Sequence, residues 1–215
     1  MSKANKSNKA IKYRLYPNDE QKVMFAKTFG CCRFVYNQLL ALQKQRYKDG
    51  ESHLSKLKSN EFATRTLKKD YDFLKEIDKF AVSNAVFHLA DAYDRFFKKQ
   101  NHFPKFKSKR KSKKSYTTNF TNNNILIGKN VIKLPKVGMV KAVIHRLSKD
   151  DWKLKSVTVS QDSVGNYFAS VLFEYEQEDI PSVSKSSTNA IGLDYKSDGL
   201  YMDSNGNKAG VHKYY

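Results

Sequence analysis

Residues 10–16 (AIKYRLY) alternate between apolar and polar. Ile11, Tyr13 and Leu15 share one face, and Lys12 and Arg14 share the other, which predicts a half-buried strand. Pro17 ends it, and Asn18 with Gln21 three residues later makes a capping box for a helix. Apolar residues then recur at helical spacing: Phe25, Phe29, Cys32, Tyr36 and Leu39 form one buried stripe. Gly30 interrupts this stretch and predicts a turn between two helices, and Asp49-Gly50 is the stop signal. A second helix is expected over 55–69. A third is expected over 78–99, where Val82, Val86, Leu89, Tyr93 and Phe96 repeat the spacing and Asp78 favours the N-terminal dipole.

Beyond residue 120 the period changes to two. Strands are expected over 125–127, 131–134, 140–144, 155–160 and 167–175, with turns at Gly128-Lys-Asn130 and at 162–166 (DSVGN). Short strands with Gly and Asn turns suggest a small antiparallel barrel, and the isolated first strand is placed in it. The fold class expected is therefore α+β: an antiparallel β-barrel split by a helical insertion. The domain reading assigns 1–17 to the first barrel strand, 18–102 to a helical insertion with a helix-turn-helix-like start, and 103–176 to the rest of the barrel. Residues 177–188 read as a linker, from their shift to acidic, Ser-rich composition with Pro181. Residues 189–215 carry strands ending at Asp194 and Asp203 with an Asn205-Gly206 turn, too few to bury a core, and read as the start of a larger domain.

Charge changes this picture most. The chain has a net charge of +19, and the 55 residues from Arg95 to Lys149 hold sixteen Lys or Arg and no Asp or Glu. Its densest part carries Lys98, Lys99, Lys105, Lys107, Lys109, Arg110, Lys111, Lys113 and Lys114, followed at once by Tyr116, Thr117 and Asn119. Such a run repels itself, and a polyanion is its natural partner. A flexible basic tail is the plain alternative. Against it stand Phe103, Phe106, Tyr116 and Phe120, interleaved with the charges to stack on bases or to anchor the segment, and an FPKFKSK alternation like that of an extended edge strand. Thr117-Thr118-Asn119 suits either hydrogen bonding to nucleic acid or turn chemistry.

Other chemistry is sparse. Adjacent Cys31 and Cys32 read as buried apolar side chains rather than a disulfide or a metal site, and the five His fall in no ligand spacing. No apolar run approaches the ~20 residues that span a bilayer, and no apolar core follows the basic N-terminus as in a secretory signal. Asp194, at the end of an apolar strand, is a hard ligand of the kind Mg²⁺ requires, although strand-end Asp residues also serve as caps.

Taken in order, KYRLYPNDEQ, FGCCRFVYNQ, FPKFKSKRKSKKSYTTNF, IKLPKVG, VTVSQDSVGNYFASVLFE and AIGLDY resemble the N-terminal half of the OrfB/TnpB proteins of bacterial insertion sequences. These are RNA-guided DNA endonucleases related to the type V CRISPR effectors. The resemblance covers residues 11–194 and implies a split, wedge-like β-barrel, a helical recognition insertion, and a RuvC-like, RNase H-like nuclease domain starting near 189. It implies a guide RNA and a target DNA as partners, a bacterial cytoplasmic, nucleoid-associated location and no membrane. It assigns Ser83 and Asn84, with Thr117 and Asn119, to a short flanking motif, and Asp194 to the catalytic metal site. Mg²⁺ is the cofactor implied for the family. The family's further carboxylates and CxxC zinc ribbon find no counterpart in these 215 residues, so the expectation is a chain that binds nucleic acid without cutting it. The alternative expectation is a stand-alone DNA-binding regulator that uses a helix pair centred on Gly30.

Overall fold

The computed structural model describes residues 5–177, 191–195 and 199–210. The chain divides into two units, 1–177 and 178–215. In the first, strand β1 (Asn5–Tyr16) leads into α1 (Asp19–Lys48). Next comes α2 (Lys56–Glu61), which continues through a π-helical stretch (Phe62–Leu67) into α3 (Lys68–Asp70). Helices α4 (Phe73–Glu76) and α5 (Lys79–Phe97) follow. The chain then returns to β structure with β2 (Lys114–Asn119), β3 (Leu126–Ile127), β4 (Val131–Leu134), β5 (Gly138–Val143), β6 (Lys153–Gln161) and β7 (Tyr167–Gln177).

These strands form one seven-stranded antiparallel sheet in the order β2-β6-β7-β1-β5-β4-β3. The fold is α+β, and its sheet is split in sequence, because β1 lies at the centre and the helices intervene before β2. The barrel expected from the sequence is not closed: β2 and β3 are the sheet's two hydrogen-bonded edges, and no pairing joins them among the described residues. β1 also begins earlier than alternation alone predicted. It pairs with β7 from Asn5↔Gln177 to Leu15↔Tyr167, and that long partner carries residues 5–9 into the sheet.

The α1 termini follow the sequence. The Asn18 side chain accepts the Gln21 N–H (2.8 Å), and the Gln21 side chain accepts the Asn18 N–H (3.1 Å), completing the capping box. The turn expected at Gly30 does not form. Helix α1 runs unbroken for 30 residues, because Phe29, Cys31 and Cys32 on either side of Gly30 are all buried. That burial outweighs the helix penalty of one glycine, about 1 kcal/mol. All five residues of the predicted stripe are buried. The core joins α1 to the sheet through rings: Phe25 lies 5.4 Å from Tyr167 and 6.3 Å from Tyr116, and Phe29 lies 5.9 Å from Tyr116. On α5, Val82, Val86, Leu89 and Tyr93 are buried as the spacing predicted.

Both cysteines are free and buried. Burial pushes the Cys32 thiol up to about 12, and it donates to the Ala81 carbonyl at 3.4 Å, so it stays protonated and unreactive. In the second unit, β8 (Leu193–Asp194), β9 (Tyr201–Asp203) and β10 (Lys208–Ala209) form an antiparallel three-stranded sheet. The linker expected over 177–188 lies almost wholly outside the described residues.

Candidate nucleic-acid interface

The basic run leaves α5 at Lys98 and reaches the sheet at Lys114, and specific bonds hold it between those points. Asn37, in the middle of α1, accepts the Lys107 N–H (2.8 Å) and donates its amide to the Lys107 carbonyl (2.9 Å). This side chain satisfies both backbone groups of one residue, as a neighbouring strand does. Further on, the Ser108 hydroxyl accepts the Lys111 N–H (3.0 Å), and Ser108 donates its N–H to the Ser112 hydroxyl (2.9 Å), closing a turn. The plain reading of a flexible tail does not fit. Nor is FPKFKSK an edge strand: the edge strand is β2, which starts at Lys114.

The candidate cations divide in two. Lys98, Lys99, Lys105, Lys109, Arg110, Lys111, Lys113 and Lys114 are exposed. Lys107 is half-buried, with its ammonium 4.0 Å from the centre of the Tyr36 ring. Desolvation by burial lowers its pKa, with a smaller opposing pull from Cys32. Its charge is spent on the α1 face, so it anchors the run. No ion pair among the described residues uses a cation between Arg95 and Lys149, and the exposed charges are therefore not neutralised by the protein itself.

The aromatics divide likewise. Phe103, Phe106 and Phe120 are exposed. Tyr116 is 3% exposed and packed on Phe25 and Phe29, so as a candidate contact it is corrected: its ring is core, and burial raises its pKa strongly. β2 faces the core with Tyr116 and Thr118, which leaves Thr117 and Asn119 on its other face by simple alternation. The Thr117–Asn119 group is strand, not turn.

Thr117, Asn119 and Asn84 meet. Asn84 of α5 donates its side-chain amide to the Thr117 carbonyl (2.9 Å) and to the Asn119 side-chain oxygen (3.2 Å). The Thr117 hydroxyl lies 2.8 Å from that of Thr158, and Asn124 donates to the Asn119 carbonyl (3.0 Å). Ser83 is half-buried beside Asn84 on α5. These four candidates come from opposite ends of the basic run and stand at one helix–strand junction. Sequence reasoning missed Asn37, which holds the run. Its one signal is an Asn in mid-helix, where the residue is a poor helix former unless its side chain has a partner.

Asp194 is exposed on β8 and pairs with Met202 of β9. Asp203 is structural. Its carboxylate accepts the N–H groups of Asn205 (2.9 Å) and Asn207 (2.8 Å) and the Asn207 side-chain amide (2.8 Å). The last of these bonds does most to lower its pKa. Asp162 closes the matching DSVGN turn in the same way, through the N–H groups of Val164 and Asn166 and the Asn166 side chain. Asp198 lies outside the described residues. Among those described, no three His, Cys, Asp or Glu side chains gather as a metal site. Asp194 therefore stands in no such cluster among the described residues, where a two-metal centre would need further carboxylates.

A family model described as a helix-turn-helix domain, HTH_OrfB_IS605, matches residues 7–52, the stretch that holds most of β1 and all of α1. A proposed RNA-guided DNA endonuclease of Streptomyces pristinaespiralis is 30% identical over 202 residues, 93% of this chain and 49% of that protein. InsQ of Escherichia coli K12, named in the same way, is 30% identical over 197 residues, 86% of this chain and 44% of its own length. The chain belongs to the OrfB/TnpB family. It spans about half the length of these two relatives. The virulence protein VsdF of Salmonella dublin is 32% identical over 111 residues, 47% of this chain and 93% of its own length. No helix among the described residues is long and apolar enough to cross a membrane.

Proposed function

We propose that this chain is the nucleic-acid-binding part of an RNA-guided DNA endonuclease, and that it holds a guide RNA and the RNA–DNA hybrid on its basic run. The observation that carries the reading is the tethered run itself: eight exposed cations between Lys98 and Lys114, none ion-paired, on a segment clamped to α1 through Asn37. Fixed cations lose little entropy when they meet phosphates, unlike those of a free tail. The names of the Streptomyces and Escherichia coli relatives support the same reading. In such a system base pairing reads sequence, and the protein reads a short flanking motif. Ser83, Asn84, Thr117 and Asn119 are assigned that contact, as a half-buried polar group at one helix–strand junction.

The same reading takes the seven-stranded sheet as a wedge-like split barrel, the helices from α1 to α5 as its recognition insertion, and the second unit as the opening of a RuvC-like domain. Asp194 would contribute one carboxylate to Mg²⁺ there. We assign the chain binding rather than cutting, since two-metal cleavage needs several convergent carboxylates. A bacterial cytoplasmic, nucleoid-associated location follows from these partners.

An electrophoretic shift with guide RNA and target DNA tests the reading. Binding that requires RNA supports it. RNA-independent binding to a specific duplex would favour a DNA-binding regulator instead. If about six phosphates are engaged, affinity falls on the order of a thousandfold between 50 and 200 mM salt. Incubation with Mg²⁺, guide RNA and target plasmid is expected to leave the plasmid intact, and target-specific cuts would sink the binding-only assignment.

A further inference from the structure

A groove of about 660 Å³ opens between the C-terminal ends of α1 and α5, beside the start of the basic run. Tyr93 and Phe97 of α5, His53 and Phe103 line it with their rings, as do Tyr47 and Lys44 of α1. Its rings are in contact: His53 lies 4.5 Å from Tyr93, and Tyr93 lies 6.1 Å from Phe97 and 5.6 Å from Phe103. Yet much of this surface faces solvent. Tyr47 is 85% exposed, Phe97 62% and Phe103 40%. Open aromatic faces of this extent on one groove are not explained by packing, because a core residue hides its ring.

The charges beside the rings say what fits. Lys44 stands 4.8 Å from the Phe106 ring and 5.5 Å from that of Phe103, Lys48 also lines the groove, and Lys98 follows Phe97 in the chain. Glu51, the one carboxylate in the lining, is paired with Arg46. Burial lowers the His53 pKa, outweighing the hydrogen bond to the Leu54 backbone and the charge of Asp94, and so disfavours a charge on this ring. Exposed rings edged by unpaired cations match a planar, aromatic, polyanionic ligand. A duplex keeps its base faces stacked inside, whereas an unpaired strand offers them.

The geometry points to a stacking site for unpaired nucleobases in this groove, with Tyr47 and Phe97 as the platform and the adjoining lysines on the strand's phosphates. The inference rests on the proposed nucleic-acid binding and adds a preference for single strands at one named place. Tyr47→Ala with Phe97→Ala, in the full 215-residue chain, tests it. Binding of fluorescein-labelled oligo(U), oligo(dT) and a duplex of equal length is measured by anisotropy across a salt series. The double variant is expected to weaken oligo(U), oligo(dT) or both by roughly tenfold to a hundredfold, as one lost stack does. Which of the two falls further identifies the strand. The duplex constant and the salt slope are expected to hold, because no phosphate contact is removed. Tyr47→Trp, which keeps a ring on an exposed position, is expected to retain wild-type binding. Equal loss on all three probes, or no loss on either single strand, overturns the stacking site while leaving the binding reading in place. A wild-type chain that binds none of the probes overturns both.

Discussion

The Tyr116 hydroxyl and the Thr118 side-chain oxygen are buried on β2 without a protein hydrogen-bond partner. An orphaned buried hydroxyl costs about 1–3 kcal/mol, while the Tyr116 ring contributes through Phe25 and Phe29. Tyr116→Phe removes the cost and keeps the ring, so it is expected to raise stability by ~1 kcal/mol, read as a higher urea midpoint with an unchanged slope. Tyr116→Ala is expected to lower it by about 3 kcal/mol or more. Lysines of the run differ in the same local way. Lys109 is exposed, and Lys109→Ala is expected to reduce the salt slope of nucleic-acid binding by about 1. Lys107 is turned onto Tyr36, and Lys107→Ala is expected to leave that slope unchanged and to lower stability instead.

Among the elements, α1 does the most. One face buries Phe25 and Phe29 toward the sheet, Cys32 bonds to α5, and Asn37 holds the basic run. One unbroken helix can register these parts against one another, which two helices with a hinge at Gly30 would not. A Cβ on Gly30 would meet nothing within 4 Å. Gly30→Ala is therefore expected to stabilise the chain by roughly 0.5–1 kcal/mol through helix propensity alone. A thermal scan checks this, and a loss of stability would mean that the backbone at Gly30 is not helical in solution. The π-helical stretch Phe62–Leu67 shows the opposite case: a continuous helix widened in the middle, a feature that no periodicity in KLKSNEFATRTLKKD announces.

Across the whole molecule, buried acids that must stay neutral set the behaviour at high pH. Burial raises Cys32 from 9.0 and Tyr93 from 10.0, each to about 12, and it raises Cys31, Tyr13, Tyr36, Tyr116 and Tyr167 as well. Between the unfolded and folded values the native chain holds protons that the unfolded chain has released. Stability is therefore full below about pH 9 and falls as pH climbs toward about 12. Lys68 and Lys107, both lowered by burial, work in the other direction but are only two against seven. The urea midpoint is expected to drop clearly between about pH 8 and about pH 10.5, and a flat profile would contradict the buried, neutral state of these groups.

Most of the local structure was legible in the residues. The capping box at Asn18, the stripe from Phe25 to Leu39, the spacing of α5 and the DSVGN turn each depend on side chains within a few residues of one another, and each formed as read. The chemistry of the basic run was equally plain, since charge needs no fold to be counted. What lay beyond reach were pairings between distant residues. Alternation tells which face of a strand is apolar, but not that Tyr13 faces Ala169, or that β2 and β3 end as open edges. A mid-helix Gly signals a break until burial on both sides of it outweighs propensity. A Tyr or Lys inside a basic run reads as a contact until the fold turns it inward, as with Tyr116 and Lys107. By itself, the sequence determined the elements, their buried faces and the polyanionic character of the partner, because these follow from local periodicity and charge. Only the tertiary structure decided the strand order, the continuity of α1 through Gly30 and which cations and rings remain free to bind, because each is settled by packing between residues far apart in the chain.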